Sequence, residues 1–192
     1  MLRRLLAALA AFAFVTPSLA AQAVPTPREH FGFDVGADRE LANWDALTAY
    51  FERLAQTSPR VTVDTLGRAT AGSPFVMLTI TSPENHARLE ELREVQRQLA
   101  DPRLVGSDSE LERLLDEGRT IVLITQGIHA TEVGASQMSA SLAYELATSN
   151  EERILEILDN VVVLQIPSLN PDGLQWVADW YNEHVGTEFE AS

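Results

Sequence analysis

Thr120-Ile121-Val122-Leu123-Ile124-Thr125-Gln126-Gly127-Ile128-His129-Ala130-Thr131-Glu132 is the stretch on which the fold turns. An apolar run of strand length gives way to a short turn, and beyond the turn Ala135, Met138, Leu142 and Leu146 recur at helical spacing. The pattern predicts a buried strand over 120–125, then a helix from about Thr131 to Ala147 with those four residues on its inner face. A histidine and a glutamate three positions apart therefore stand at the carboxyl end of a strand, where open α/β sheets present their chemistry. Residues one helical turn apart project to the same side, so the His129 imidazole and the Glu132 carboxylate can converge on one cation. Zinc accepts both donor types. Spacing alone is weak support, because chance supplies about 0.4 such pairs in a chain of this composition.

A second stretch raises the weight of the first. Val161-Val162-Val163-Leu164-Gln165-Ile166 reads as another buried strand, and it discharges into Pro167-Ser168-Leu169-Asn170-Pro171-Asp172-Gly173. Between the two strands lie the helix already named and a shorter one, Glu152 to Leu158, with Ile154, Ile157 and Leu158 apolar. Strand, helix, strand is the unit of a parallel or mixed sheet. Two strands that each end in a special loop form the rim of a site.

Upstream, Leu41, Trp44, Leu47, Tyr50, Phe51 and Leu54 mark an amphipathic helix over Arg39 to Gln56, its aromatic stripe read as core. Val61 to Leu66 and Phe75 to Ile80 flank the turn at Gly67 to Ser73 as a hairpin. Ser82-Pro83-Glu84 starts a helix buried through Leu89, Leu92, Val95 and Leu99, with His86 as an exposed residue of its first turn. Ser107 and Glu110 open another helix, closed by Gly118. Val24 to Asp38 is polar and irregular, with Pro25, Pro27, Gly32 and Gly36, and reads as a lead-in segment.

Composition narrows the chemistry. Arg3 and Arg4 precede an apolar core of 11 residues, Leu5 to Val15, and small residues offer cleavage after Ala20, Ala21 or Ala23. A spanning helix needs roughly 20 apolar residues, so residues 1–23 read as a secretory signal peptide with no stable membrane insertion after its removal. Cleavage leaves 12 basic against 28 acidic residues, a net charge of −16, which argues against nucleic acid as a partner. The chain has no Lys, which excludes Schiff-base chemistry, and no Cys, which excludes thiolate metal sites, a thiol nucleophile and disulfides. A serine-hydrolase elbow is missing as well: Gly134-Ala135-Ser136-Gln137-Met138 ends wrongly and lies inside a helix. An exported chain without disulfides suits a secreted or periplasmic setting, the bacterial envelope in particular.

Taken together, Gly127-Ile128-His129-Ala130-Thr131-Glu132, the helix, the Val161 strand and Pro167 to Gly173 resemble the zinc carboxypeptidase family in motif, order and spacing. The helix and hairpin from about Leu41 to Ile80 are similar to that family's early elements too. The resemblance implies a mixed, mostly parallel sheet flanked by helices, incomplete in this chain. It implies a metallopeptidase acting on a peptide or protein substrate through Zn2+, with His129 and Glu132 as two of three metal ligands. The third ligand, the general-base glutamate and an Asn-Arg pair that grips the substrate carboxylate follow later in the family, so no catalytic residue is placed in this chain and the base is expected beyond Ser192. Asn170 to Gly173 would be a structural turn near the site. His184 and His30 are poor substitutes for the missing ligand, the former standing too close in sequence to Glu132. Many members also carry Arg immediately before the ligand glutamate, where this chain has Thr131; a hydroxyl cannot replace a guanidinium fork.

The expected organisation is a signal peptide at 1–23, a lead-in at 24–38, and the N-terminal portion of a metallocarboxypeptidase-like catalytic domain at 39–192. The alternative is a non-catalytic secreted α/β binding module in which His129 and Glu132 merely hydrogen-bond.

Overall fold

The structure, a computed structural model, describes residues 23–190. The signal segment lies outside the described residues except for Ala23. The lead-in is more regular than its composition implied. Thr26 accepts a hydrogen bond from the Glu29 N–H at 3.1 Å, and Glu29 returns one by accepting from the Thr26 N–H at 2.8 Å. This capping box starts helix α1, Pro27–Phe31, which ends at Gly32 with φ +86°. Five residues are too few to show periodicity, which is why the helix was not visible as a pattern. Phe31 and Phe33 pack against the core, and the Tyr50 hydroxyl donates to the Pro25 carbonyl at 3.1 Å.

Helix α2, Trp44–Thr57, begins five residues later than the spacing predicts, because Asn43 caps it and the Gln137 carboxamide holds the preceding residue. Gln137 accepts from the Ala42 N–H at 2.9 Å and donates to the Ala42 carbonyl at 2.7 Å. The aromatic stripe is core as expected: Trp44, Leu47, Tyr50, Phe51 and Leu54 are fully buried. Each such side chain contributes on the order of 1.5–3 kcal/mol of transfer free energy.

Strands β1, Val61–Arg68, and β2, Pro74–Ile80, form the expected antiparallel hairpin, with an irregularity between Thr65 and Gly67. β2 continues antiparallel onto β4, Val161–Ile166, which runs parallel to β3, Thr120–Thr125. The sheet order is β1-β2-β4-β3. The mixed sheet flanked by helices is the architecture expected. Its parallel share is smaller than expected among the described strands, with one parallel pairing to two antiparallel ones. The parallel neighbours β3 and β4 are joined by a helical crossover through α6, Val133–Thr148, and α7, Glu152–Asn160, whereas a tight turn between β1 and β2 forces them antiparallel.

The buried strand expected at 120–125 is instead an exposed edge. Ile121, Val122 and Leu123 are 40, 38 and 59% exposed, because β3 is outermost and nothing among the described residues pairs with its free side. The face that the helix after it presents is only partly the one predicted: Leu146 is buried in the core and Leu142 packs against it as expected, but Ala135 is exposed. Met138 is exposed, while Ser136, Ser139, Ala140, Ala143 and Ala147 are buried. Small side chains let α6 lie close on the core, and close approach outweighs side-chain size in choosing the face.

The single helix expected after Ser82 is broken into α3, Pro83–His86, and α4, Leu89–Ala100. Asn85 is buried and donates to Thr81 Oγ1, the Leu158 carbonyl and the Asp159 carbonyl, which anchors the first turn while the chain turns out of helical geometry at Arg88. His86 is half-buried, not exposed, because α3 is tied down to the last turn of α7. Helix α4 crosses the sheet face that carries Met77, Thr79, Val162 and Leu164, and it packs on α5, Asp108–Glu117, capped by Ser107 as predicted. The opposite face, with Val76, Leu78, Ile80 and Val163, joins α2 and α6 in the main core.

Candidate functional site

The turn between β3 and α6 is built around Gly127, whose φ is +59°. A Cβ there would lie 2.0 Å from Ser136 Oγ in the first turn of α6, so only glycine fits both the dihedral and the space. The loops that leave β3 and β4 interlock through their backbones. Leu169 N–H donates to the Gln126 carbonyl at 2.8 Å, and Asn170 N–H to the Gly127 carbonyl at 3.2 Å. Further out, a Cβ on Gly173 would meet the Ala130 Cβ at 2.8 Å. The residue after His129 therefore rests on the first turn of the helix that follows β4.

The loop that leaves β4 is not free-standing. Asn170 accepts from the Gly173 N–H at 3.0 Å and so caps helix α8, Pro171–His184, which begins inside the Asn-Pro-Asp-Gly motif. The buried Asp172 carboxylate accepts from the Ala71 N–H at 2.6 Å and the Ser73 N–H at 3.2 Å, tying the motif to the β1–β2 turn. The Ala71 N–H, then Ser73, holds this carboxyl below its ordinary pKa. Sequence reading had no access to that contact, which links residues about a hundred positions apart.

On this platform His129 Nδ1 lies 3.0 Å from Glu132 Oε2. Both side chains project to solvent, at 70 and 66% exposure, and Glu132 N–H donates to the His129 carbonyl at 3.1 Å. One imidazole nitrogen and one carboxylate thus face each other as the spacing predicts. Their donor chemistry fits a zinc-type cation, yet two donors are fewer than the three protein ligands of a catalytic zinc centre. Among the described residues, no group of three His, Cys, Asp or Glu side chains is arranged to hold a metal.

His184 and His30 make their contacts elsewhere. His184 donates through Nδ1 to the Trp180 carbonyl at 2.8 Å and stacks on the Trp180 ring at 4.6 Å. His30 lies against Phe31 and Tyr50. Beside the turn, an open apolar groove of about 660 Å³ is lined by Leu41, Val133, Trp176, Trp180 and Tyr181, with Thr131 at its edge. Neither His129 nor Glu132 lines it.

Residues 47–188 match the sequence profile of a family described as zinc carboxypeptidase. No curated protein matches the chain. Among solved structures, carboxypeptidase A from Helicoverpa armigera is similar with a TM-score of 0.52 at 17% identity, over 89% of this chain and 31% of that one. Thrombin activatable fibrinolysis inhibitor is similar with a TM-score of 0.50 at 13% identity, over 78% of this chain and 31% of its own. The chain thus spans about a third of the length of the structures it resembles.

Proposed function

Because the chain belongs to the zinc carboxypeptidase family, we propose that it is the front portion of a metallocarboxypeptidase in which His129 and Glu132 are two of three zinc ligands. The observation that carries this reading is the 3.0 Å approach of His129 Nδ1 to Glu132 Oε2 on an exposed turn at the carboxyl end of β3. The family profile covers that turn and the Asn-Pro-Asp-Gly motif beside it.

In this proposal His129 supplies a neutral ring nitrogen and Glu132 a negative charge, which together would hold the cation on the rim. Bound zinc would polarise a peptide carbonyl and lower the pKa of a water toward about 7. Gly127, Asn170 and Asp172 keep the rim rigid by joining the β3 turn, the start of α8 and the hairpin turn. Thr131 offers a hydroxyl and no charge, so a substrate carboxylate is gripped by groups other than this position. The third ligand and the general-base glutamate are assigned to sequence outside the described residues. The substrate class is peptide or protein, and residues 1–23 are proposed to direct export to the envelope or beyond. No helix among the described residues is long and apolar enough to cross a membrane.

One observation favours a second reading: a lone His–Glu pair also satisfies itself as an ordinary hydrogen bond, as in a non-catalytic module. Zinc binding separates the two. The purified chain is dialysed, its zinc affinity is measured by chelator competition, and His129→Ala, Glu132→Ala and His184→Ala are compared. Weak zinc binding that is lost in the first two variants and unchanged in the third is expected. Binding indifferent to His129 and Glu132 would overturn the assignment.

A further inference from the structure

The strand that feeds the second motif buries an amide where its neighbours bury hydrocarbon. Gln165 is fully buried on β4, flanked by Leu164 and Ile166, and Gln126 is 7% exposed at the end of β3. Gln165 Nε2 donates to Gln126 Oε1 at 2.9 Å and to the Ser139 carbonyl of α6 at 3.0 Å. Gln126 Nε2 in turn donates to the Ala135 carbonyl at 3.1 Å. An apolar side chain at either position would avoid the desolvation cost of a buried carboxamide; the bonds that Gln126 and Gln165 Nε2 make offset that cost, while Gln165 Oε1 is buried with no hydrogen-bond partner.

The chain of bonds has a particular span. Gln126 immediately precedes Gly127, and Ala135 lies three residues beyond Glu132 in the first turn of α6. The Gln126 side chain therefore crosses from one end of the His129–Glu132 turn to the other. Gln165 fixes its orientation by occupying its oxygen, which leaves the Nε2 hydrogens to face Ala135. We propose that Gln126 is the positioning residue of the His129–Glu132 turn, a side-chain clip across its two ends that Gln165 holds in register. Neither amide touches His129 or Glu132; both act through the backbone that carries them. This inference rests on the metal-ligand reading only where zinc affinity is concerned, since the clip itself is a statement about the turn.

The test compares the native chain with Gln126→Met and Gln165→Met, which conserve volume and remove the hydrogen bonds. Backbone order parameters are measured by NMR on the metal-free protein, and zinc affinity is measured by chelator competition. With the clip removed, order parameters of residues 128–132 are expected to fall below about 0.6 while those of β2 and β4 stay near 0.85. Zinc affinity is expected to fall by about 10- to 100-fold, the usual effect of losing a group that orients a ligand. Gln165→Met is expected to shift both readouts in the same direction by less. A merely structural role would lower the unfolding midpoint and leave the order of the turn and the zinc affinity of the folded protein unchanged, and that result overturns the proposal. Should Gln126→Met fail to fold, Gln126→Asn, whose amide stops one carbon short of Ala135, gives the same comparison. Native chain that binds no zinc, with the turn still loosened by Gln126→Met, would sink the metal-ligand reading and leave the clip standing.

Discussion

Gly127 shows how narrowly a single residue can be constrained. Its positive φ and the Ser136 hydroxyl in the space of a Cβ act together, so Gly127→Ala is expected to cost about 1–3 kcal/mol, read as a lowered urea midpoint. Asp172 makes a different prediction, one of pH. Its carboxyl is held below the ordinary value of 3.8 by the Ala71 and Ser73 N–H groups. A depressed folded-state pKa gives stability that is fully present above the unfolded value and is lost as pH falls through the folded one. Native protein should therefore lose stability on acidification from pH 5 toward pH 2 more steeply than Asp172→Asn, and an equal fall in unfolding free energy for the two proteins between those pH values, measured by urea titration, would contradict this. The motif that holds Asp172 was visible as a sequence, but its role was not. What Asp172 touches is a hairpin turn that no local pattern connects to it.

At the scale of elements, α2 and α6 make contrasting cases. The stripe on α2 is made of large apolar residues, so periodicity located both the helix and its buried face, and Phe51→Ala is expected to cost about 3–5 kcal/mol in chemical denaturation. On α6 the buried face is mostly Ser and Ala, which carry little weight in an apolar pattern, so periodicity finds Leu146 but misassigns Ala135 and Met138, which are exposed. The physical requirement on α6 is closeness. Ala143→Leu, at a position with no exposed surface, is expected to destabilise by about 1–3 kcal/mol through overpacking, and a neutral result would show that the helix has room to move. The break between α3 and α4 was hidden for a related reason. Asn85 looks like an ordinary helix residue until its amide is found bonded to the end of α7, more than seventy positions away.

For the molecule as a whole, the exposed edge of β3 has the largest consequence. Ile121, Val122 and Leu123 present apolar side chains on a strand with a free row of backbone groups among the described residues, a surface that invites pairing. The chain is expected to self-associate at micromolar concentration, and Leu123→Lys to reduce that association, both read by sedimentation velocity. Identical sedimentation of the two proteins would show that the edge is not the contact. The net charge of −14 over the full sequence opposes association at long range, so added salt should strengthen it.

The sequence by itself determined what depends on neighbours along the chain. Strand runs, capping residues, the aromatic face of α2 and the facing of His129 and Glu132 across one turn are all local consequences of spacing. Tertiary structure decided which strand lies at the edge, which face of α6 is buried, and how Gln126, Gln165 and Asp172 lock the rim. Those outcomes depend on packing and hydrogen bonds between segments tens of residues apart. A buried amide or carboxylate is stable only where distant partners meet it, and no local pattern records where those partners arrive.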